Sequence, residues 1–302
     1  MNEGSPIMPP RLVPVRPKSK AREYHGLFMT LCIGAMADQQ KKIITVTDFM
    51  LSNNVSSTET WAAKVSRIGK TKRWVAMFAG DPSCNQKILG YVNDELAHHP
   101  QETDDDLLNA FKLSYQKEVK NYIEDVILSP LGMSRDEFFK DGKSALGDQQ
   151  FAILLREIRD ARLNTDFLVC GFHEHNPRIF RAIDPGITDL QDSMGFCSIG
   201  CGAHLADAHL MSTFSVLDPL QDTLYKLIEA KFKSERAPGV GRRTYMTILE
   251  EGGQMVSVPP PVIEEIRAAW EKYGNPPIAP EMRLAMQKLS QENINKFFHF
   301  GS

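Results

Sequence analysis

The chain has 302 residues, 42% of them hydrophobic and 24% charged, with a formal net charge of −3. That length buries a real core in one large domain or two small ones, and the near-neutral balance excludes the basic excess that bulk binding to nucleic acid or an anionic membrane needs. The five scattered cysteines fit free thiols in a reducing cytosol better than a secreted disulfide framework. The first ten residues carry no apolar signal core and no run reaches membrane-spanning length, so a cytoplasmic chain is expected.

Residues 1–26 are Pro-rich and basic and cannot bury enough apolar surface to fold alone. A leader or arm is expected there. Residues 27–36 are apolar on both faces, as in a strand buried between layers. A polar turn over 38–42 leads to a returning strand over 43–48, with Ile44, Val46 and Asp48 on one face. Further strands are expected over 62–68 and 74–79. Asp81-Pro82 then caps a helix whose buried stripe is Ile88, Leu89, Val92 and Leu96.

Thr103, followed by three aspartates, starts a second helix. Ser134 and Glu137 have capping-box spacing for a short third, and Asp148 is placed to cap a fourth. Strands return over 167–172, 179–183 and 195–200, with Asn176-Pro177 marking the first turn. A helix follows Gly202 and another runs from Asp218-Pro219 to about residue 236. Strands over 244–249 and 255–258 close the set. Pro259-Pro260-Pro261 breaks the chain before amphipathic helices over 262–273 and 280–297. Blocks of helices between antiparallel strand groups predict an α+β fold, a four-layer αββα sandwich of two antiparallel sheets flanked by helices. The expected division is a leader (1–26), a main domain (27–258) with a helical insertion near 125–165, and a C-terminal helical extension (259–302).

Three residues carry the chemistry: Thr30, Asp48 and Lys64. If Thr30 becomes the first residue of the mature chain, its free α-amine titrates near neutrality and can take the hydroxyl proton as a base. A lysine beside it, paired with a carboxylate, supplies a positive field.

These residues and several motifs together resemble the proteasome-type family of N-terminal-nucleophile (Ntn) hydrolases. Met29-Thr30-Leu31-Cys32-Ile33-Gly34 resembles the family's opening strand, Thr47-Asp48 its second-strand acid, and Lys64, sixteen residues on, its lysine. Phe78-Ala79-Gly80-Asp81 resembles the entry to the first outer helix. Ile199-Gly200-Cys201-Gly202-Ala203 resembles the Gly-Ser-Gly turn, and residues 235–241 the Asp-x-x-Ser-Gly-x-Gly loop. The likeness covers about residues 29–258 and is similar in flavour to the bacterial proteasome-like branch that includes Anbu.

The resemblance implies a threonine-type peptidase, a hydrolase that needs no cofactor or metal. Thr30 is its nucleophile, Asp48 and Lys64 tune the amine, Cys201 and Glu235 orient it, and the Met77 backbone N–H holds the oxyanion. It also implies a protein or peptide substrate, a homo-oligomer built as a ring or helix, and an unfoldase or regulator as partner. In this sequence Cys201 stands at the family's serine, Glu235 at its loop aspartate, Pro238 at its loop serine and Met77 at its glycine. Asp48 lies eighteen residues after Thr30 because the first hairpin is two residues longer than usual.

Counting sixteen back from Asp48 lands on Cys32, an alternative nucleophile for an Ntn amide hydrolase. A non-catalytic ring or scaffold subunit is the rival from another class, in which Asp48 and Lys64 form only a strand-end ion pair. The spacing of Cys197, Cys201, His204 and His209 superficially resembles a zinc site, but placing the four on a strand, a turn and a helix argues against one.

Overall fold

A computed structural model describes residues 30–52, 57–59, 64–273 and 280–288, with backbone alone for 50–52, 57–59, 282, 285, 286 and 288. The expected leader, the start of the first strand and the end of the last helix lie outside the described residues. β1 (Cys32–Ala37) and β2 (Lys42–Asp48) form the first hairpin, followed by a small ribbon of β3 (Met50–Ser52) and β4 (Ser57–Glu59) that the sequence pattern did not announce. β5 (Val65–Ile68) and β6 (Trp74–Gly80) pair next.

The helix starts follow their caps. Asp81 accepts from the backbone N–H groups of Ser83 and Cys84 at 2.8 and 3.3 Å, opening α1 (Pro82–Leu96). Thr103 and Asp106 form a capping box at α2 (Asp104–Tyr122), and Ser134 and Glu137 form another at α3 (Arg135–Asp160). A π-helical turn (Ile123–Leu128) and a 3-10 turn (Ser129–Leu131) join α2 to α3. The expected pair of helices is present within this span: Gly147, whose φ of 78° and ψ of 160° are not helical, ends the first and Asp148 opens the second.

β7 (Thr165–His173), β8 (Asn176–Ile183), β9 (Ile187–Leu190) and β10 (Phe196–Ile199) come next. Asn176 and Pro177 belong to β8, and the turn falls on Glu174 and His175 instead. α4 (Ala203–Thr213), α5 (Leu220–Ser234), β11 (Thr244–Glu250), β12 (Met255–Ser257), α6 (Pro260–Tyr273) and α7 (Pro280–Lys288) complete the described chain. Pro260 and Pro261 therefore open α6, where the missing N–H groups have no intrahelical partner to lose.

Two antiparallel five-stranded sheets result, ordered β10-β1-β2-β11-β12 and β5-β6-β7-β8-β9. The period of two sorts β1 between layers. Ile33 and Ala35 pack with α4, α5 and α6 side chains such as Leu210, Leu227 and Ile266. Cys32 and Met36 meet Met77, Leu168 and Cys170 of the other sheet. The far face of that second sheet carries Trp74, Phe167 and Phe180 against Ile88, Phe111 and Tyr115 of α1 and α2. The order is thus helices, sheet, sheet, helices, as expected for an α+β chain. Gly34 lets the sheets approach: a Cβ there would sit 2.5 Å from Cys170 Sγ.

The insertion has its own small core of Ile123, Leu128, Phe138, Leu154 and Ala161, while Val126, Phe139 and Ile153 of the same segment stay exposed. No helix among the described residues is long and apolar enough to cross a membrane.

The inter-sheet layer holds several thiols, and burial pushes Cys32 and Cys197 up to about 12 and Cys170 well above the ordinary range. In the unfolded chain these groups ionise near pH 8.5, so above that pH the folded state binds more protons. Their stabilising share is complete below about pH 8.5 and is lost as pH rises toward 12, by roughly 1 kcal/mol per thiol per pH unit. Urea midpoints measured between pH 8 and 10.5 should fall accordingly. The slope should flatten in Cys170→Ala, and an unchanged slope would show that this thiol ionises equally well in the folded protein.

Candidate active site

Thr30 lies two residues before β1, Asp48 is the last residue of β2, and Lys64 directly precedes β5 in the opposite sheet. The β1–β2 register pairs Cys32 with Thr47, which brings the two strand ends together, and the Asp48 N–H donates to Leu31 O at 3.2 Å. Lys64 reaches across from the second sheet. The three side chains meet: Thr30 Oγ1 donates to Asp48 Oδ1 at 2.7 Å, Lys64 Nζ donates to the same oxygen at 2.7 Å, and Lys64 Nζ also donates to Thr30 Oγ1.

All three are buried, with Asp48 at 0% and Lys64 and Thr30 each at 2% exposure. An ion pair so deep carries a large desolvation cost and persists only when its polar atoms are matched. Here they are. The second carboxylate oxygen, Oδ2, accepts the Gly241 N–H at 2.8 Å.

Two turns enclose Thr30 from the other side. Gly202 N donates to the Thr30 carbonyl at 3.4 Å, and Cys201 Sγ lies 3.4 Å from the same oxygen and 3.1 Å from Pro238 O. Burial pushes the Cys201 thiol above its ordinary range, which keeps it a donor. Pro238 has no side-chain donor, yet its carbonyl holds the thiol. Gly200 has a φ of +95°, and a Cβ there would collide with the Thr30 carbonyl and lie 2.8 Å from its Cγ2.

Three expected roles need correction. Glu235 does not reach Thr30: Arg267 grips both its oxygens at 2.8 and 2.9 Å, and Lys231 pairs with it as well. Met77 is seated between strands that pair with it on both sides, at Val65 and at Leu168. Its N–H therefore points along the sheet at a neighbouring strand and is not free to meet a ligand. Among the described residues the β5 side of β6 loses its partner after Met77, while the β7 side stays paired to Gly80. Among the described residues, Phe78 to Gly80 have no strand partner on the β5 side, and Phe78 O lies 3.4 Å from Cys32 Sγ.

The third correction concerns Cys32. Its thiol is fully buried in the apolar inter-sheet cluster, and desolvation drives it up to about 12. A nucleophilic sulfur needs the thiolate. Cys32 feels Lys64 and Asp48 as well, but the direct hydrogen bonds to both are made by Thr30.

Lys231 is a site residue that the sequence pattern did not single out. It is fully buried on α5, donates to Gly241 O and Arg242 O at 2.8 and 2.6 Å, and burial pushes it down to about 8. Its mixed setting in an amphipathic helix gives no sequence signal, since lysine at such a position ordinarily snorkels to solvent.

The zinc-like residues scatter. Cys197 faces the inter-sheet layer, His204 Nδ1 lies 3.0 Å from Cys201 O, and His209 lies beside Glu229 and Lys233. Among the described residues no group of three or more His, Cys, Asp or Glu is placed to hold a metal ion. Comparison with protein-family models and with curated proteins finds no match for this chain.

Proposed function

We propose that this chain is a threonine-type amide hydrolase of the proteasome-like Ntn kind, with Thr30 as nucleophile once it is the first residue. The observation that carries this reading is the buried contact of the Thr30 hydroxyl with both Lys64 and Asp48. A threonine serving only as a β-branched strand residue has no need of a desolvated ion pair on its hydroxyl. The layer order, helices outside two antiparallel sheets, is the setting that the resemblance implies.

The chemistry follows from the groups present. The freed α-amine accepts the Oγ1 proton, and Oγ1 attacks the carbonyl carbon of a peptide. The Lys64 ammonium favours the developing alkoxide, and Asp48 keeps that ammonium in place. Backbone N–H groups along Phe78–Gly80, in place of Met77, hold the oxyanion. The C–N bond breaks as the amine passes its proton to the leaving nitrogen. Water, deprotonated by the same amine, then cleaves the ester on Oγ1 and restores the threonine.

Protein or peptide substrates and a homo-oligomeric ring or helix belong to this proposal. Assembly is supported by the exposed Val126, Phe139 and Ile153 on the insertion.

One observation favours a silent scaffold subunit instead. Thr30, at 2% exposure, is almost fully covered. Intact mass and N-terminal sequencing of the purified oligomer, paired with a fluorogenic peptide assay, decide between the two. The hydrolase reading expects a chain starting at Thr30 and a loss of turnover in Thr30→Ala on the order of 10³-fold or more, with Thr30→Ser retaining activity. A retained leader with no turnover supports the scaffold.

A further inference from the structure

The C-terminal helix α6 reaches the Thr30 site through a chain of buried charges. Arg267 on α6, 3% exposed, forks onto Glu235 and also donates to Arg242 O at 2.6 Å. Its guanidinium lies 4.0 Å over the Phe232 ring of α5. From α5, Lys231 donates to Glu235 and to the carbonyls of Gly241 and Arg242. Its three acceptors match the three N–H groups of an ammonium. The next link is the Gly241 N–H on Asp48 Oδ2. Gly241 has more backbone freedom than any other residue type, so a hydrogen bond from its N–H is well aimed only when its neighbours are fixed.

We propose that Arg267 and Lys231 are positioning residues, which with Glu235 clamp the 235–242 loop so that Gly241 holds Asp48 in register with Lys64 and Thr30. This rests on the hydrolase reading of Thr30, Asp48 and Lys64. It makes α6 part of the site's machinery and gives Glu235 a role through the loop in place of a direct one on the amine. A planar fork suits the task, because bidentate pairing fixes orientation as well as charge.

The test uses the full chain with Arg267→Met, Arg267→Lys and Lys231→Met. Glu251→Ala serves as control: it removes an exposed pair with His175 that lies outside the 235–242 loop and touches none of its partners. Amide hydrogen exchange at Gly241, Cys201 alkylation and peptide turnover are read together. In Arg267→Met, exchange at Gly241 should rise at least about tenfold and Cys201, held by Pro238 O of the same loop, should alkylate faster. Turnover should drop about 10- to 100-fold in kcat with little change in KM, since the defect misplaces reacting groups and leaves peptide contacts alone. Arg267→Lys should fall between native and Arg267→Met, and Glu251→Ala should match native.

Exchange at Gly241 within twofold of native in both Arg267 variants would overturn the clamp, whatever happens to turnover. A native protein that hydrolyses nothing, together with raised Gly241 exchange in Arg267→Met, supports the clamp and rejects the hydrolase reading. Should Arg267→Met fail to fold, Arg267→Lys and Lys231→Met carry the same comparison.

Discussion

Replacing Lys64 with methionine is expected to lower the unfolding free energy by about 3–5 kcal/mol. Methionine fills similar volume, so little of that loss comes from a cavity. The cost arises because the fully buried Asp48 carboxyl loses the ammonium 2.7 Å away, and among the described residues no other cation pairs with it. The Thr30 hydroxyl and the Gly241 N–H still donate to it, but neither brings a full charge. Adding Asp48→Asn to Lys64→Met should recover much of the loss, because the orphaned charge is gone. A double-mutant cycle from urea denaturation measures this, and a coupling energy near that of an exposed pair, about 0–1 kcal/mol, would mean that water reaches the site.

Gly200→Ala is expected to disable the site while leaving the rest of the fold in place. The added methyl meets the Thr30 carbonyl backbone, 2.9 Å from its carbon, and backbone cannot rotate away as a side-chain end can. The positive φ alone costs an alanine about 1–2 kcal/mol. Gly132→Ala isolates that share, because Gly132 has a φ of +68° and nothing within 4 Å of the added Cβ. Thermal melts should show Gly200→Ala losing clearly more stability than Gly132→Ala. If turnover is present, a displacement of Thr30 by about 1 Å costs on the order of 10²-fold, against no change in Gly132→Ala. Equal melts and equal rates for the two variants would show that the 200–202 turn relaxes without moving Thr30.

Much of the architecture was legible because it rests on local rules. Asp81, Thr103 and Ser134 start helices since each satisfies free N–H groups within four residues of itself. The β1–β2 hairpin was readable from two apolar runs around a polar turn. Asn176-Pro177 misled because the proline sits in β8, in a strand that also pairs with β9, while the turn needed only Glu174 and His175. β9 itself was missed: Ile187–Leu190 is short and largely exposed, without the apolar alternation that reports a half-buried strand. The break at Gly147 was legible, since Asp148 marked a new helix start there.

Within the site, Thr30, Asp48 and Lys64 could be named from type and spacing, and Cys201 from its glycine-flanked turn. Glu235 and Met77 could not be assigned correctly that way. Whether Glu235 faces Thr30 or Arg267 depends on where α6 lies, thirty-odd residues later in the chain. Whether the Met77 N–H is free depends on which strands flank β6, a property of the sheet and not of the residue.

The amino-acid order by itself determined the element types, the two-faced apolar strands and a hydroxyl, acid and lysine at strand ends, because propensity, capping and periodicity act over a few residues. Only the tertiary structure decided that Lys64 crosses from one sheet to the other, that burial pushes the Cys32 thiol up to about 12, and that Arg267 holds the Glu235 loop. Those outcomes depend on burial and on charges brought together from distant segments, and both are set by packing, to which no short stretch of chain has access.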